Sequence, residues 1–397
     1  MAIKGINRRE FISRTTLGLL SSSLVVPYFK VSRILRNQPN KIIYRTLGRT
    51  KLRIPIVSFG VMNTDSPDML RKALDMGIKH YDTAHGYLRG NSEKVIGEVM
   101  EETGSRDKVY IATKISLPRD RQSGTFLPEA NEENFNKFLN ISLQRLRTDY
   151  VDILYLHGVS SVKMVNYEPT MRALEKAKQS GKARFIGFSV HNNEPEIIRA
   201  AVEAEIYDVI LTSYNFMQKH REDVKKAIKY AAEKGVGIIA MKTQCGGRIN
   251  EKTDINHQAA LKWVLNDENV CTTIPGMTTF EQMDLNFSAM SNLALSEQEK
   301  RELQLASMLQ GTFYCQNCHS CIPSCPNNVE IPTLMRAYMY AEGYGNLYQA
   351  RATVAELPRQ RSLNVCLNCS SCLASCRYGI DINQRLQSLI GKGLHWC

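Results

Sequence analysis

A chain of 397 residues that is 43% hydrophobic and 23% charged carries enough apolar material for a large core, which excludes a disordered or fibrous protein. Its net charge of +12 invites a nucleic-acid reading, yet residues 1–53 hold twelve Lys or Arg against one acidic residue, Glu10, and so account for eleven of those charges. The remainder is close to neutral, with no basic folded surface to track phosphates, and the expectation is no nucleic-acid partner.

The N-terminus reads "NRREFISRTTLGLLSSSLVV". Arg8 and Arg9, Phe11 two places on, and a weak apolar run from Thr15 to Val26 predict a twin-arginine export signal, an address read by the export machinery rather than an anchor. The run is too short and serine-rich to span a membrane comfortably. Residues 1–40 are therefore expected to be signal plus basic linker, and the protein periplasmic or otherwise exported. If the segment is only a basic lead-in, the protein is cytoplasmic.

From Ile42 the chain alternates short apolar runs with segments of helical period. The runs are "IVSFG" at 56–60, "IKHYD" at 78–82, "VYIATK" at 109–114, "VDILYLH" at 151–157, "RFIGFS" at 184–189, "DVILT" at 208–212, "GVGIIAMK" at 235–242 and "CTTIP" at 271–275. Between them lie amphipathic stretches such as "EENFNKFLNISLQRL" and "REDVKKAIKYAAEKG". Eight strands alternating with helices over residues 42–295 predict a (β/α)8 TIM barrel of the α/β class. A doubly wound sheet is the runner-up, but "FGVMNTD" after the first run is no Gly-rich dinucleotide turn.

In such a barrel, polar residues at the C-terminal strand ends carry the chemistry. Asp82 ends the second run, Tyr87 follows in the next loop, Lys114 ends the third and His157 the fourth. A Lys ammonium beside a tyrosine favours release of the phenolic proton to a carbonyl oxygen, Asp82 would hold Lys114 charged, and His157 would fix the carbonyl by a hydrogen bond. Each residue alone has a plainer explanation as a cap, a solvated strand end, loop packing or a core histidine. Four at consecutive strand ends favour the catalytic reading.

"IYRTLGRTKLRIPIVSFG", "YDTAHGYLRGNSEKVIG", "IATKIS", "DILYLH", "GKARFIGFSVH", "SYNF" and "IPGMTTFEQMDLNF" together resemble the aldo-keto reductase superfamily along nearly all of residues 42–292. The resemblance implies a nicotinamide-dependent oxidoreductase that interconverts a small-molecule aldehyde or ketone and its alcohol, with Asp82, Tyr87, Lys114 and His157 as the catalytic tetrad. It further implies cofactor contacts from Ser189, Tyr214, Met241, Lys242, Gly276, Gln282 and Asn286. Val190 stands where the family usually has Asn, Leu211–Ser213 hold no amide, and no arginine follows Met277. NAD and NADP are both open on that pattern. The long loop "YLRGNSE" resembles the branch of reductases with an iron–sulfur tail. Arg119, Arg121 and Lys163 would suit a polar or acidic carbonyl, though solvated loop charge is their simpler reading.

The tail supplies the cysteines. Cys315, Cys318, Cys321 and Cys325 follow C-x2-C-x2-C-x3-C, and the spacing recurs at Cys366, Cys369, Cys372 and Cys376. Two such runs predict two 4Fe-4S clusters, three ligands from one run and the fourth from the other. One cluster would then take Cys315, Cys318, Cys321 and Cys376, the other Cys366, Cys369, Cys372 and Cys325. Zinc is the alternative, but its sites usually pair two separated C-x2-C knuckles. Between the runs "IPTLMRAYMYAEGYGNLYQARATVAEL" is helical in pattern with a break at Gly343 and Gly345, so residues 300–397 read as a small α-helical ferredoxin-like domain.

The expected protein is thus an aldo-keto reductase-type oxidoreductase whose clusters serve electron transfer or structure, with a redox partner protein as one expected consequence. A competing reading is an electron-transfer or docking protein whose barrel has lost carbonyl turnover.

Overall fold

The computed structural model describes residues 42–120, 123–245, 255–308 and 315–396; the twin-arginine stretch, Arg121, Gly246, Gly247 and Cys397 lie outside them. An antiparallel pair, β1 (Tyr44–Thr46) and β2 (Arg53–Pro55), comes first, followed by the parallel strands β3 (Phe59–Gly60), β4 (His80–Asp82) and β5 (Tyr110–Ile115). A small hairpin, β6 (Arg119–Asp120) and β7 (Thr125–Phe126), interrupts the loop after β5. The parallel set continues with β8 (Val151–Val159), β9 (Ala183–Val190), β10 (Val209–Ser213), β11 (Gly237–Met241) and β12 (Thr272–Thr273).

The eight parallel strands bond to one another in chain order. The first and last then meet: Val57 lies opposite Thr273 and Gly60 opposite Gly276, with the Ser58 N–H donating to the Thr273 carbonyl at 2.8 Å and the Gly60 N–H to that of Pro275 at 3.1 Å. A doubly wound sheet leaves its edges apart, so this closure identifies the (β/α)8 barrel. β8 is apolar and buried on both faces, as a strand walled by helices outside and packed core inside must be. The helix over Glu132–Leu146 shows why the outer ring forms where it does. Asn131 caps the Asn134 N–H, Glu132 and Glu133 sit in the first turn, Phe135, Leu139 and Leu146 bury one face, and Arg147 ends it at φ 51°.

Alternation along the strands decides which side chains face the barrel axis. Ala112, Ile153, Tyr155, Val209, Leu211, Ile239 and Met241 form one inner cluster, joined from below by Leu47, Leu52 and Ile54 of the β1–β2 hairpin. That hairpin, which the sequence patterns did not announce, plugs the N-terminal end. The Arg45 guanidinium donates to the carbonyls of Val270 at 2.6 Å and Leu265 at 2.7 Å.

Helices Glu297–Met308, Ile331–Tyr338, Leu347–Ala355 and Ile382–Gly391 follow the barrel. The last three enclose a second core around Leu334, Met335, Ala350, Leu363, Leu386 and Leu389, against which Met62 of the barrel also packs. The break expected at Gly343 and Gly345 takes the form of a π turn, Met339–Gly343, closed by the Tyr344 N–H donating to the Met339 carbonyl at 3.1 Å. Asn346 donates to Asn63 at 2.9 Å, and Gln316 bonds the Met217 carbonyl and the Lys219 N–H. These bonds set the tail on the C-terminal rim of the barrel.

Two predictions follow from this packing. An added Cβ at Gly187 would stand 1.9 Å from the Val209 carbonyl oxygen, so Gly187→Ala must part β9 from β10. The expected cost is about 1–3 kcal/mol or more, read as a lowered urea midpoint. His80 is fully buried with neither ring nitrogen bonded, and burial lowers its pKa from 6.5 to about 3, with the Lys114 charge adding to the effect. Above pH 6.5 it is neutral folded and unfolded; below it only the unfolded chain takes the proton, so stability falls from pH 6.5 towards 3. His80→Leu is expected to flatten that acid limb in urea titrations, and an unaltered slope would refute the assignment.

Candidate active site and cysteine centres

The inward parity that places Ala112 and Tyr155 on the axis brings Lys114 and His157 to the rim two residues later. Asp82 ends β4 opposite Ala112, directly beside them. Lys114 and Asp82 are both buried and form an ion pair, and the ammonium also donates to the Thr83 carbonyl at 2.7 Å. Burial pushes Asp82 up and Lys114 down, and each charge opposes the shift of the other.

Tyr87 stands over this pair. The Lys114 Nζ lies 5.1 Å from its ring centroid, and the His157 ring meets it edge-on at 5.8 Å. Its loop is a short 3-10 turn in which Leu88 and Arg89 take left-handed conformations, at φ 49° and 57°. Gly90, at φ 89°, admits the Arg145 guanidinium where a Cβ would come within 2.3 Å of it. Arg145 then donates to the His85 carbonyl at 2.8 Å and to buried Glu93 at 3.2 Å, which fixes the turn. Burial, then the Asp82 charge, raises the Tyr87 pKa well above its usual value, so the hydroxyl keeps its proton.

His157 owes its aim to a bulge. The β8–β9 register shifts between Leu156 and Val159, and Gly158 takes φ 74°. The backbone groups this frees are satisfied by side chains. The Gly158 N–H donates to Ser189 Oγ at 2.8 Å, and Arg119 Nη1 donates to the His157 and Gly158 carbonyls at 2.5 and 2.7 Å. Ser116, two residues beyond Lys114 on the same parity, bonds His157 Nδ1 at 3.0 Å.

Asp82, Tyr87, Lys114 and His157 all line one cavity of about 1090 Å³, counted to its open mouth. Met241, Lys242 and Gly276 line it too. Gln244 carries the groove outward, donating to Asn286 at 2.7 Å, while the Gln282 side chain accepts from the Thr278 N–H at 2.8 Å on the exposed side. Ser189 and Tyr214 are placed differently from the other cofactor candidates. The Ser189 hydroxyl is taken up by the bulge, and Tyr214, one residue past inward-facing Ser213, packs on Trp263 at 5.1 Å.

Several lining residues were not among the sequence candidates. His191 lies two residues beyond Ser189 on the same parity, a signal that could have found it. Arg336, Tyr340 and Tyr344 come from the tail and wall the cavity from above. Nothing in their local pattern announces this, because it depends on how the tail docks.

Cys315, Cys318, Cys321 and Cys376 line a second cavity of about 340 Å³. Cys366 is surrounded electrostatically by Cys369, Cys325 and Cys372. None of the eight is paired in a disulfide. The Asn317 and Tyr378 N–H groups donate to the sulfurs of Cys315 and Cys376, each at 3.4 Å, and Asn317 and His319 in the first of these turns adopt positive φ. Among the described residues no three His, Cys, Asp or Glu converge closely enough for a single metal ion. Thiols set around a cavity, with amides aimed at sulfur, suit a cube whose iron atoms are bound one to each ligand better than one tetrahedral zinc.

Comparisons with known proteins agree with this geometry. The model of the aldo/keto reductase family matches residues 58–259, just over half of the chain, and that of a 4Fe-4S dicluster domain matches residues 314–380. The chain is 27% identical over 319 residues to L-glyceraldehyde 3-phosphate reductase of Escherichia coli K12, covering 66% of this chain and 91% of that protein. It is 28% identical over 293 residues to L-galactose dehydrogenase of Arabidopsis thaliana, covering 64% and 89%. An aldo-keto reductase from Bacillus halodurans in its holo form shares the fold with a TM-score of 0.55 at 22% identity, over 66% of this chain and 96% of that one. One from Klebsiella pneumoniae in complex with NADPH gives 0.55 at 22%, over 67% and 95%. The chain is therefore a member of the aldo/keto reductase family, an oxidoreductase of carbonyl and alcohol groups that carries a C-terminal 4Fe-4S domain.

Proposed function

We propose that this protein reduces the carbonyl group of a small aldehyde or ketone with NADPH or NADH, or runs the reverse oxidation, with Tyr87 as the proton donor. The observation that carries the reading is the buried Lys114–Asp82 pair directly beneath Tyr87, with His157 edge-on beside it in one cavity. A bound nicotinamide supplies the hydride to the carbonyl carbon. The chain does the rest. His157 holds the carbonyl oxygen, the Tyr87 hydroxyl delivers the proton to that oxygen, and Lys114, kept charged by Asp82, stabilises the phenolate left behind. The tail tyrosines 340 and 344 restrict water above the site.

The groove along Met241, Lys242, Gln244 and Gly276 suits a dinucleotide. A Cβ at Gly276 would come 3.0 Å from the Asn63 amide and fill the approach. The Klebsiella relative solved with NADPH supports NADP as the cofactor, and the Escherichia coli relative named for an aldehyde supports that substrate class.

The two cysteine sets support two 4Fe-4S clusters, each completed by a cysteine from the opposite run. Their first role in this reading is to brace a tail that walls the active site. Electron exchange with a partner protein is the second, favoured by the exposure of Cys318 and Cys369. Export by the twin-arginine route remains part of the proposal, since that route carries proteins already folded around their clusters.

Tyr87→Phe is expected to lower kcat for a simple aldehyde about 10²–10⁴-fold while circular dichroism and dinucleotide affinity hold. Turnover within a few-fold of wild type would remove Tyr87 as the acid. Anaerobic protein should contain about eight iron and eight sulfide per chain. Cys376→Ser is expected to remove about half of the iron; full iron retention, or zinc in its place, would count against the cross-ligated pair.

A further inference from the structure

The cavity wall carries more positive charge than the proposed proton transfer needs. Lys114 is matched by Asp82, yet Arg119, Lys242 and Arg336 also line the pocket, with Glu356 as the further acidic group. Arg336 Nη2 donates to Glu356 at 3.1 Å. Arg119 is held through Nη1, which donates to the two bulge carbonyls. His191 lines the same pocket within reach of both arginine charges, and its buried Nδ1 has no hydrogen-bond partner.

These groups feel one another. Burial and, to a lesser extent, the Arg336 charge together lower the Arg119 pKa to about 10. Burial, Lys242, His157 and both arginines hold His191 neutral. Gathering like charges in a half-buried pocket is unfavourable unless an anion joins them. Each arginine is also anchored by a bond that fixes its guanidinium, as a preorganised anion site requires.

We propose that Arg119 from the barrel and Arg336 from the tail, together with His191, form an anion subsite, so that the carbonyl compound handled here carries a carboxylate or phosphate. This rests on the reductase reading above and names its substrate class. The dinucleotide is the other source of anionic oxygens, but strand order separates Arg119 from its groove. Arg119 follows β5 and holds the end of β8, whereas Gly276, Gln282 and Asn286 follow β12, across the ring. The subsite is complete only when the tail is docked, because Arg336 belongs to helix Ile331–Tyr338.

The test uses the full-length, cluster-loaded enzyme and two aldehydes of similar shape, 4-carboxybenzaldehyde and neutral 4-methylbenzaldehyde. Wild type should favour the acid in kcat/KM by about tenfold or more, mainly through KM. Arg336→Met and Arg119→Met should each collapse that ratio towards one, Arg336→Lys should restore part of it, and raised salt should erode it. Calorimetry with benzoate and with inorganic phosphate should show binding that needs both arginines and separates the two anion classes.

Equal use of both aldehydes by wild type, with no arginine-dependent benzoate or phosphate binding, would overturn the subsite. So would a parallel fall for both aldehydes in Arg336→Met joined to weaker dinucleotide binding, since the cations would then serve the cofactor phosphates. Turnover of neither aldehyde with either dinucleotide would strike the reductase reading instead, and the benzoate and phosphate titrations would still decide the subsite.

Discussion

A lysine and an aspartate with almost no exposure to water can remain charged only in each other's company, and the Lys114–Asp82 pair sets the terms for the rest of the rim. The strand register places the two side by side, the Thr83 carbonyl accepts a further hydrogen bond from the ammonium, and the turn carrying Tyr87 is folded over both. Removing either partner would strand a charge in the barrel core, at a cost of about 3–5 kcal/mol. Chemistry and stability therefore converge on the same two residues.

The bulge in β8 shows the same economy with backbone groups. It turns His157 towards the cavity and in doing so releases one N–H and two carbonyls from the ladder. Ser189 and Arg119 satisfy them. A serine that family resemblance assigns to the cofactor thus bonds the backbone beside the general site, and an arginine that reads as loop charge is drawn into its wall.

Much of this was legible beforehand, for reasons that differ by element. The helix at Glu132–Leu146 coincides with its sequence pattern because the Asn cap, the acidic first turn and the apolar spacing all agree. Strand runs were visible because buried parallel strands are continuously apolar, and Asp82, Lys114 and His157 stood out as polar endings to such runs. β12 shortened to Thr272–Thr273, since Pro275 has no N–H to extend the ladder. The β1–β2 hairpin was missed because its three-residue strands carry too little alternation to signal. Arg336, Tyr340 and Tyr344 were invisible for a different reason: their helical pattern describes the tail, whereas their role in the wall arises from docking.

The hairpin that plugs the barrel floor also orders events in time. Arg45 bonds to carbonyls some 220 to 225 residues further on, and β3 finds its last neighbour only in β12. Such distant contacts make closure a late step of high contact order. During synthesis the first strands must wait, with an open edge, until the chain beyond Gly276 has emerged. The two cysteine runs emerge later still, so the ring can close before its lid exists, and the cavity gains its upper wall only when the last helices settle on a finished barrel.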